Sequence, residues 1–79
     1  MRRKDELDEL SVNEKEELIR EWVSGYRAKR NKKILCRYLI DGETYEAIAE
    51  EFDLSRQRVK CIVTRERRIL CEHIPKHDI

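Results

Sequence analysis

The sequence has few of the residues that interrupt or staple a chain. Its 79 residues include two glycines, one proline and three cysteines, and aromatic residues make up 6% of it. So little glycine and proline leaves no linker, low-complexity segment or internal repeat, and the chain is expected to form one small domain. Three cysteines, an odd number without paired spacing, describe no disulfide framework. We therefore expect Cys36, Cys61 and Cys71 to be reduced thiols.

Long apolar runs and catalytic groupings are also missing. No stretch reaches the length of a transmembrane helix, and no signal-peptide core follows the first residues, which predicts a cytoplasmic protein without a membrane partner. The sequence contains no Ser/His/Asp set, phosphate-cradling glycine loop or convergent carboxylate pair, which argues against an enzyme and against a bound cofactor. Cys71, His73 and His77 lack a fourth ligand, so no metal site is expected.

Charged residues are abundant and unevenly distributed. They make up 44% of the chain, yet the formal net charge is only +1. Residues 25–43 and 56–79 are each net +4, whereas residues 1–24 are net −3 and residues 44–55 are net −4. A local basic stripe, and not the total charge, is the electrostatic footprint of a nucleic-acid-binding domain. The near-neutral total therefore says little against nucleic-acid binding.

Capping signals and apolar spacing predict helices along most of the chain. Residues 1–10 read as a frayed, charged lead, and Ser11 with Glu14 fits a capping box that opens a helix to about Ser24. Leu18, Ile19, Trp22 and Val23 give this helix its apolar face, and Gly25 can end it. A second helix is predicted from Arg27 to Asp41, followed by Gly42. Its apolar stripe is formed by Ile34, Leu35, Tyr38 and Leu39.

Two further helices follow with a tight turn between them. Thr44 and Ser55 are good N-caps, and Asp53 suits the left-handed conformation that the turn requires. The last helix is predicted to run to about His73, because Pro75 prevents a longer one. The sequence thus predicts an all-α fold, a small four-helix bundle without a wing. Its domain would cover residues 11–74, with a reader helix at 56–73 and a tail at 75–79.

The last two helices have the pattern of a helix-turn-helix, which lays its second helix in the major groove of DNA. The predicted inner face of the first helix is Ile48, the small Ala49 and Phe52, and Leu54 plugs the turn. The second helix would turn inward its apolar residues Val59, Ile62 and Val63. The residues left on the outer face of the second helix form a basic strip, whose side chains can hydrogen-bond to phosphates and base edges.

This segment resembles region four of bacterial sigma factors and is similar to the DNA-binding domain of LuxR-type regulators. The resemblance covers Lys32 to Leu70, and the motifs that carry it are the glycine before Thr44, the pair Ile48-Ala49, the turn Leu54-Ser55 and the spacing Val59-x-x-Ile62. It implies a recognition helix that reads the minus-thirty-five promoter element. It also implies a free-standing regulator of phage or bacterial type, because the other sigma regions are missing.

The resemblance also suggests which side chains meet the duplex. The family's base-reading positions correspond to Arg56, Gln57 and Cys61. Glutamate and glutamine are frequent at the last two, so the standard promoter sequence is not the expected target. We expect base contacts from five residues of the outward strip: Arg56, Gln57, Lys60, Cys61 and Thr64. We expect phosphate contacts from helix caps and neighbouring cations: Thr44, Ser55, Arg58, Arg65, Arg68, Lys32 and Lys33. The alternative is that these residues form an ordinary solvent-exposed surface that binds nothing.

Other interpretations stay open from the sequence alone. Five cations lie at the start of the second helix: Arg27, Lys29, Arg30, Lys32 and Lys33. The helix dipole disfavours positive charge at this end, which suggests that they bind the DNA backbone or an acidic protein. The alternative is that they only make the surface of the chain soluble. The rival function is a protein-interaction module of the same fold that binds RNA polymerase or another protein without DNA. Trp22 is the sort of residue found in cores, yet its stripe could also hold a homodimer.

Overall fold

The computed structural model describes residues 6–74, and within this range it contains α-helices and no strand. The predicted all-α fold is confirmed. The helices are α1 (Glu6–Glu9), α2 (Val12–Trp22), α3 (Ala28–Leu39), α4 (Tyr45–Phe52) and α5 (Arg56–Glu72). Pro75, His77 and the rest of the tail lie outside the described residues, as do residues 1–5. None of the described helices is long and apolar enough to cross a membrane.

The N-terminal end of α2 is fixed by the predicted capping box. The Ser11 hydroxyl accepts from the Glu14 amide at 3.2 Å, and the Glu14 carboxylate accepts from the Ser11 amide at 3.1 Å. This reciprocal pair satisfies two amides that the helix itself cannot. The other end differs slightly from the prediction, because Val23 is already extended and α2 ends at Trp22. Gly25 has a φ of 88° but lies in the turn beyond the helix.

Helix α3 is shorter than predicted at both ends. It begins at Ala28, because Arg27 adopts the left-handed conformation with a φ of 63°. It ends at Leu39, and the chain reverses at Gly42, whose φ is 71°. The amide of Glu43 donates back into the end of the helix across this glycine. A left-handed glycine of this kind costs little, since it has no Cβ.

The connection between α4 and α5 has the local chemistry that the sequence predicts. The Thr44 hydroxyl accepts from the Ala47 amide at 3.1 Å, and the Ser55 hydroxyl accepts from the Arg58 amide at 3.0 Å. Asp53 is left-handed, with a φ of 55°. These features end α4 and start α5 within three residues, which makes the bend of the helix-turn-helix.

A single core joins all five helices. Most predicted inner residues are buried there, including Ile48 and Ala49 of α4 and all three apolar residues of the α5 stripe. Phe52 and Leu54 pack against this core but are only half-buried. The core reading of Trp22 is wrong, because this side chain is 39% exposed. Its ring stacks instead on His73 at a centroid separation of 3.5 Å, joining the ends of α2 and α5.

The charged lead is more ordered than predicted. Residues 6–9 form the one-turn helix α1, whose Leu7 is completely buried in the core. Asp8 on the same turn accepts from Nη2 of Arg67 at 3.0 Å. The expectation of a frayed lead is therefore wrong for residues 6–9, because one apolar side chain and one ion pair attach this turn to α5. The domain boundaries at residues 11 and 74 stay predictions.

A network of carboxylates around Arg37 links α3 to α4. Its Nε donates to both oxygens of Glu51 at 3.1 Å, and its Nη1 donates to Asp41 at 3.1 Å. The hydrogen bonds to Asp41 and then to Glu51 raise the pKa of Arg37 above its usual value. The pairs are solvent-exposed, so each stabilises the fold only weakly.

We expect Leu7→Ala to lower the free energy of unfolding by about 2 kcal/mol, because a fully buried leucine is replaced by a cavity. Urea unfolding followed by circular dichroism measures this change. Glu9→Ala is the matched control, since Glu9 is exposed on the same turn. Equal stability of the two variants would show that α1 is not docked on the core.

Candidate nucleic-acid interface

One face of α5 is sealed into the core, and this fixes which face is outward. Val59, Ile62, Val63 and Leu70 recur at helical spacing and are each at most 2% exposed. The opposite face presents a row of exposed side chains, which we call the reader row: Gln57, Lys60, Cys61, Thr64 and Arg68. The reader row borders a shallow groove of about 430 Å³. The structure therefore brings together four of the five predicted base-contacting residues.

Arg56 is the fifth predicted base-contacting residue, and it lies apart from the reader row. Successive residues of a helix are rotated by about 100°, which turns Arg56 away from Gln57 and toward α4. Its Nε is 3.7 Å from a carboxylate oxygen of Glu46, and both side chains are at least 70% exposed. An ion pair this exposed is weak and can exchange for another anion. Arg56 is therefore placed at the flank of α5 that faces α4.

The predicted phosphate-contacting residues fall into three separate groups. Thr44 and Ser55 use their hydroxyls to cap α4 and α5, and they remain exposed at those N-termini. Lys32 and Lys33 lie on α3 beside Phe52 at the end of α4, and neither borders the groove along the reader row. Arg58, Arg65 and Arg68 are exposed on α5. The structure thus separates the two lysines from the α5 cations.

Arg58 and Arg65 occupy the flank of α5 opposite Arg56. With Arg27 and Arg30 from the start of α3 they line a pocket of about 380 Å³, which we call the arginine pocket. The pKa of Arg30 is lowered, mainly by burial and then by the positive charges of Arg27, Arg58 and Arg65. The pocket is therefore a region of positive potential at the edge of the reader row.

Two buried polar residues that border the same pocket, Asn31 and Glu66, were not among the predicted site residues. They are 2% and 4% exposed. Glu66 lies three residues after Val63 and four before Leu70, on the inward stripe of α5, and Asn31 lies three residues before Ile34. That periodicity could have identified both as inward-facing. Arg65 donates from Nε to Glu66 at 3.2 Å.

The cysteines are thiols in contrasting surroundings. Cys61 is exposed in the reader row, whereas Cys36 is half-buried on α3. Burial raises the pKa of the Cys36 thiol, and the carboxylates of Glu16 and Asp41 raise it further. Among residues 6–74 no group of three or more potential ligands could hold a metal ion. His77, the third residue considered above as a possible metal ligand, lies outside the described residues.

Comparison with known proteins identifies the half of the chain that carries these features. The family model of sigma-70 region 4 matches residues 28–70, which span α3, α4 and nearly all of α5. That family consists of DNA-binding regulatory domains and is not a family of enzymes. No curated protein and no solved structure matches the chain.

The raised pKa of Cys36 should be visible in its reactivity. Only the thiolate is alkylated, so we expect the midpoint of the Cys36 rate-against-pH curve to lie above the ordinary thiol value of about 8.5. Iodoacetamide labelling followed by peptide mass spectrometry measures the rate at each pH. The same chain unfolded in urea is the control, because its Cys36 is solvated. Identical midpoints in the folded and unfolded chains would contradict the buried setting.

Proposed function

The chain belongs to the sigma-70 region 4 family, and from this membership and the geometry of α5 we propose that it is a sequence-specific DNA-binding regulator of transcription. The observation that carries the proposal is the reader row, exposed on a helix whose other face is sealed into the core. A bare recognition helix on a rigid support is what the major groove accommodates. The setting we propose is a bacterial or phage cytoplasm.

The side chains of the reader row supply hydrogen bonds of several kinds. The amide of Gln57 can pair bidentately with adenine, and Arg56 can do the same with guanine once it leaves Glu46. Such a pair discriminates against a wrong base by about 1–3 kcal/mol. Thr64 offers a methyl and a hydroxyl group, and the Cys61 thiol is only a weak hydrogen-bonding group. This combination predicts a target that differs from the family's usual promoter element.

Phosphate contacts would supply most of the affinity and its salt dependence. Arg68 lies in the reader row itself, and Arg58 and Arg65 lie on its flank. The capped N-termini at Thr44 and Ser55 add backbone amides on the side that faces α4. Lys32 and Lys33 would reach a duplex only if it extended over the junction of α3 and α4.

The rival function is a protein-interaction module that binds RNA polymerase, a partner of sigma region 4 domains in general. The observation that favours it is an acidic, exposed face on α2, formed by Glu16, Glu17 and Glu21. This face is on a different helix from the reader row, so both partners could be bound together. A homodimer would combine two copies of the reader row on two half-sites, which is a common arrangement for helix-turn-helix proteins.

The test is a fluorescence-anisotropy titration with duplexes selected from a random pool, at low and moderate salt. We expect Gln57→Ala to weaken binding of the selected duplex by about tenfold, corresponding to one lost bidentate pair, and to relax selectivity at one base pair. We expect Arg68→Ala to weaken all duplexes alike, because it removes a phosphate contact. Arg20→Ala, an exposed arginine on α2, is the control.

The titration, together with a capture assay using purified RNA polymerase, distinguishes the DNA-binding function from the rival protein-binding function. No binding of the unaltered protein at low salt, together with capture of purified RNA polymerase in the absence of DNA, would replace the DNA-binding proposal with the rival. Binding with one chain per selected site would argue against the homodimer.

A further inference from the structure

Asn31 and Glu66 are the two buried polar side chains of residues 6–74, and each holds the arginine that precedes it. Nε of Arg30 donates to the Asn31 amide oxygen at 3.2 Å, and Nε of Arg65 donates to the Glu66 carboxylate at 3.2 Å. Burying a polar group is unfavourable unless it forms hydrogen bonds. Each buried acceptor therefore restrains the Nε end of a guanidinium group at the surface.

Both restrained arginines border the arginine pocket, one from each wall. Arg30 comes from α3 and Arg65 from α5, and the ring of Trp22 lies in the same lining. Within residues 6–74, neither guanidinium makes a hydrogen bond through its Nη groups. A planar guanidinium that is held at Nε keeps these donors for an anion that can accept two hydrogen bonds, such as a phosphate.

The charge of the arginine pocket is not balanced by the protein. Four guanidinium groups line it, against the single carboxylate of Glu66. Bringing like charges together in a partly buried place is unfavourable, and the lowered pKa of Arg30 reflects both burial and this repulsion. An anionic ligand would relieve the repulsion.

We propose that the arginine pocket binds a backbone phosphate of the duplex that the reader row contacts, with Asn31 and Glu66 as positioning residues. The inference rests on the proposed function. It adds Arg30 of α3 and Arg27, which immediately precedes α3, to the interface, on the flank of α5 opposite Arg56. The two strands of a duplex border the major groove on either side of a recognition helix. The pocket therefore contacts one strand, and the N-termini of α4 and α5 contact the other.

The first experiment measures Arg30→Ala by anisotropy over a range of salt concentrations. We expect an affinity about tenfold lower than that of the unaltered protein, because a charge-assisted contact is lost. The slope of log K against log salt should fall by about 0.9, the value for one phosphate. Arg20→Ala should change neither quantity. An unaltered slope and affinity in Arg30→Ala, while the unaltered protein still binds DNA, would overturn this inference and leave the proposed function intact.

The second experiment identifies the source of the phosphate. A neutral methylphosphonate is placed at each backbone position of the selected duplex in turn. We expect one position at which it weakens binding by the unaltered protein clearly more than binding by Arg30→Ala. Inorganic phosphate at constant ionic strength is the other arm, followed through the Nε–H NMR signals of Arg30 and Arg65. Saturation of these signals by millimolar inorganic phosphate, with no such position in the duplex, would overturn the assignment to DNA.

The third experiment tests whether Glu66 positions Arg65, by a change in DNA affinity that is opposite in direction to the change expected from charge alone. Glu66→Ala removes a negative charge, so electrostatics alone would tighten DNA binding. Because it also releases Arg65, we expect weaker binding instead, and Glu66→Gln should restore it by keeping an acceptor for Nε. Tighter binding by Glu66→Ala would overturn the positioning role. If Glu66→Ala fails to fold, Asn31→Ala tests the positioning of Arg30 instead. This substitution leaves the net charge unchanged, so charge alone predicts no effect, whereas release of Arg30 predicts weaker binding.

Discussion

The packing of the α5 inner stripe into the shared core is the constraint on which the rest of the structure depends. The side chains of this stripe are almost completely buried: Val59, Ile62, Val63 and Leu70. Removing their apolar surface from water is the main force that orients the helix. A rotation of α5 about its axis would expose this stripe and bury charged side chains. The orientation of the reader row is therefore determined by the core and not by the row itself.

The surroundings of α5 give the two sides of the reader row different chemistry. On the side of α4, Arg56 is held loosely by the exposed carboxylate of Glu46. On the side of α3, Arg30 and Arg65 are each held by a buried acceptor. Arg56 can rearrange to meet a base, whereas Arg30 and Arg65 are restrained at Nε and keep their Nη donors for an anion. Arginine is thus suited to contacting bases on the side of α4 and to holding a phosphate on the side of α3.

Local chemistry in the sequence was enough to predict most of the fold. Ser11, Thr44 and Ser55 cap helices because their hydroxyls reach amides three residues on, and this depends on nearby residues alone. Helix ends at Trp22 and Leu39 were less well predicted, because glycine marks where a chain can reverse and not where its helix stops. The outward position of the reader row followed from the periodicity of the apolar residues.

What the sequence did not reveal depends on contacts between distant residues. Leu7 stands alone in a charged run, so no periodicity indicated that it enters the core. Trp22 finds a stacking partner in His73, which is remote in the chain. Glu66 is a charged residue and was not predicted to be buried, although it lies on the inward stripe of α5. The separation of Lys32 and Lys33 from α5 required the angle between α3 and α4, and local signals do not give that angle.

The central claim, that the reader row lies against duplex DNA, is tested most directly by the alkylation rate of Cys61. This thiol is exposed in the middle of the row, so a bound duplex must cover it. Half-buried Cys36 reports in the same sample on any general change in the fold. The account predicts that a saturating selected duplex suppresses labelling of Cys61 and leaves the rate of Cys36 unaltered. Unchanged labelling of Cys61 in a fully bound complex would contradict it.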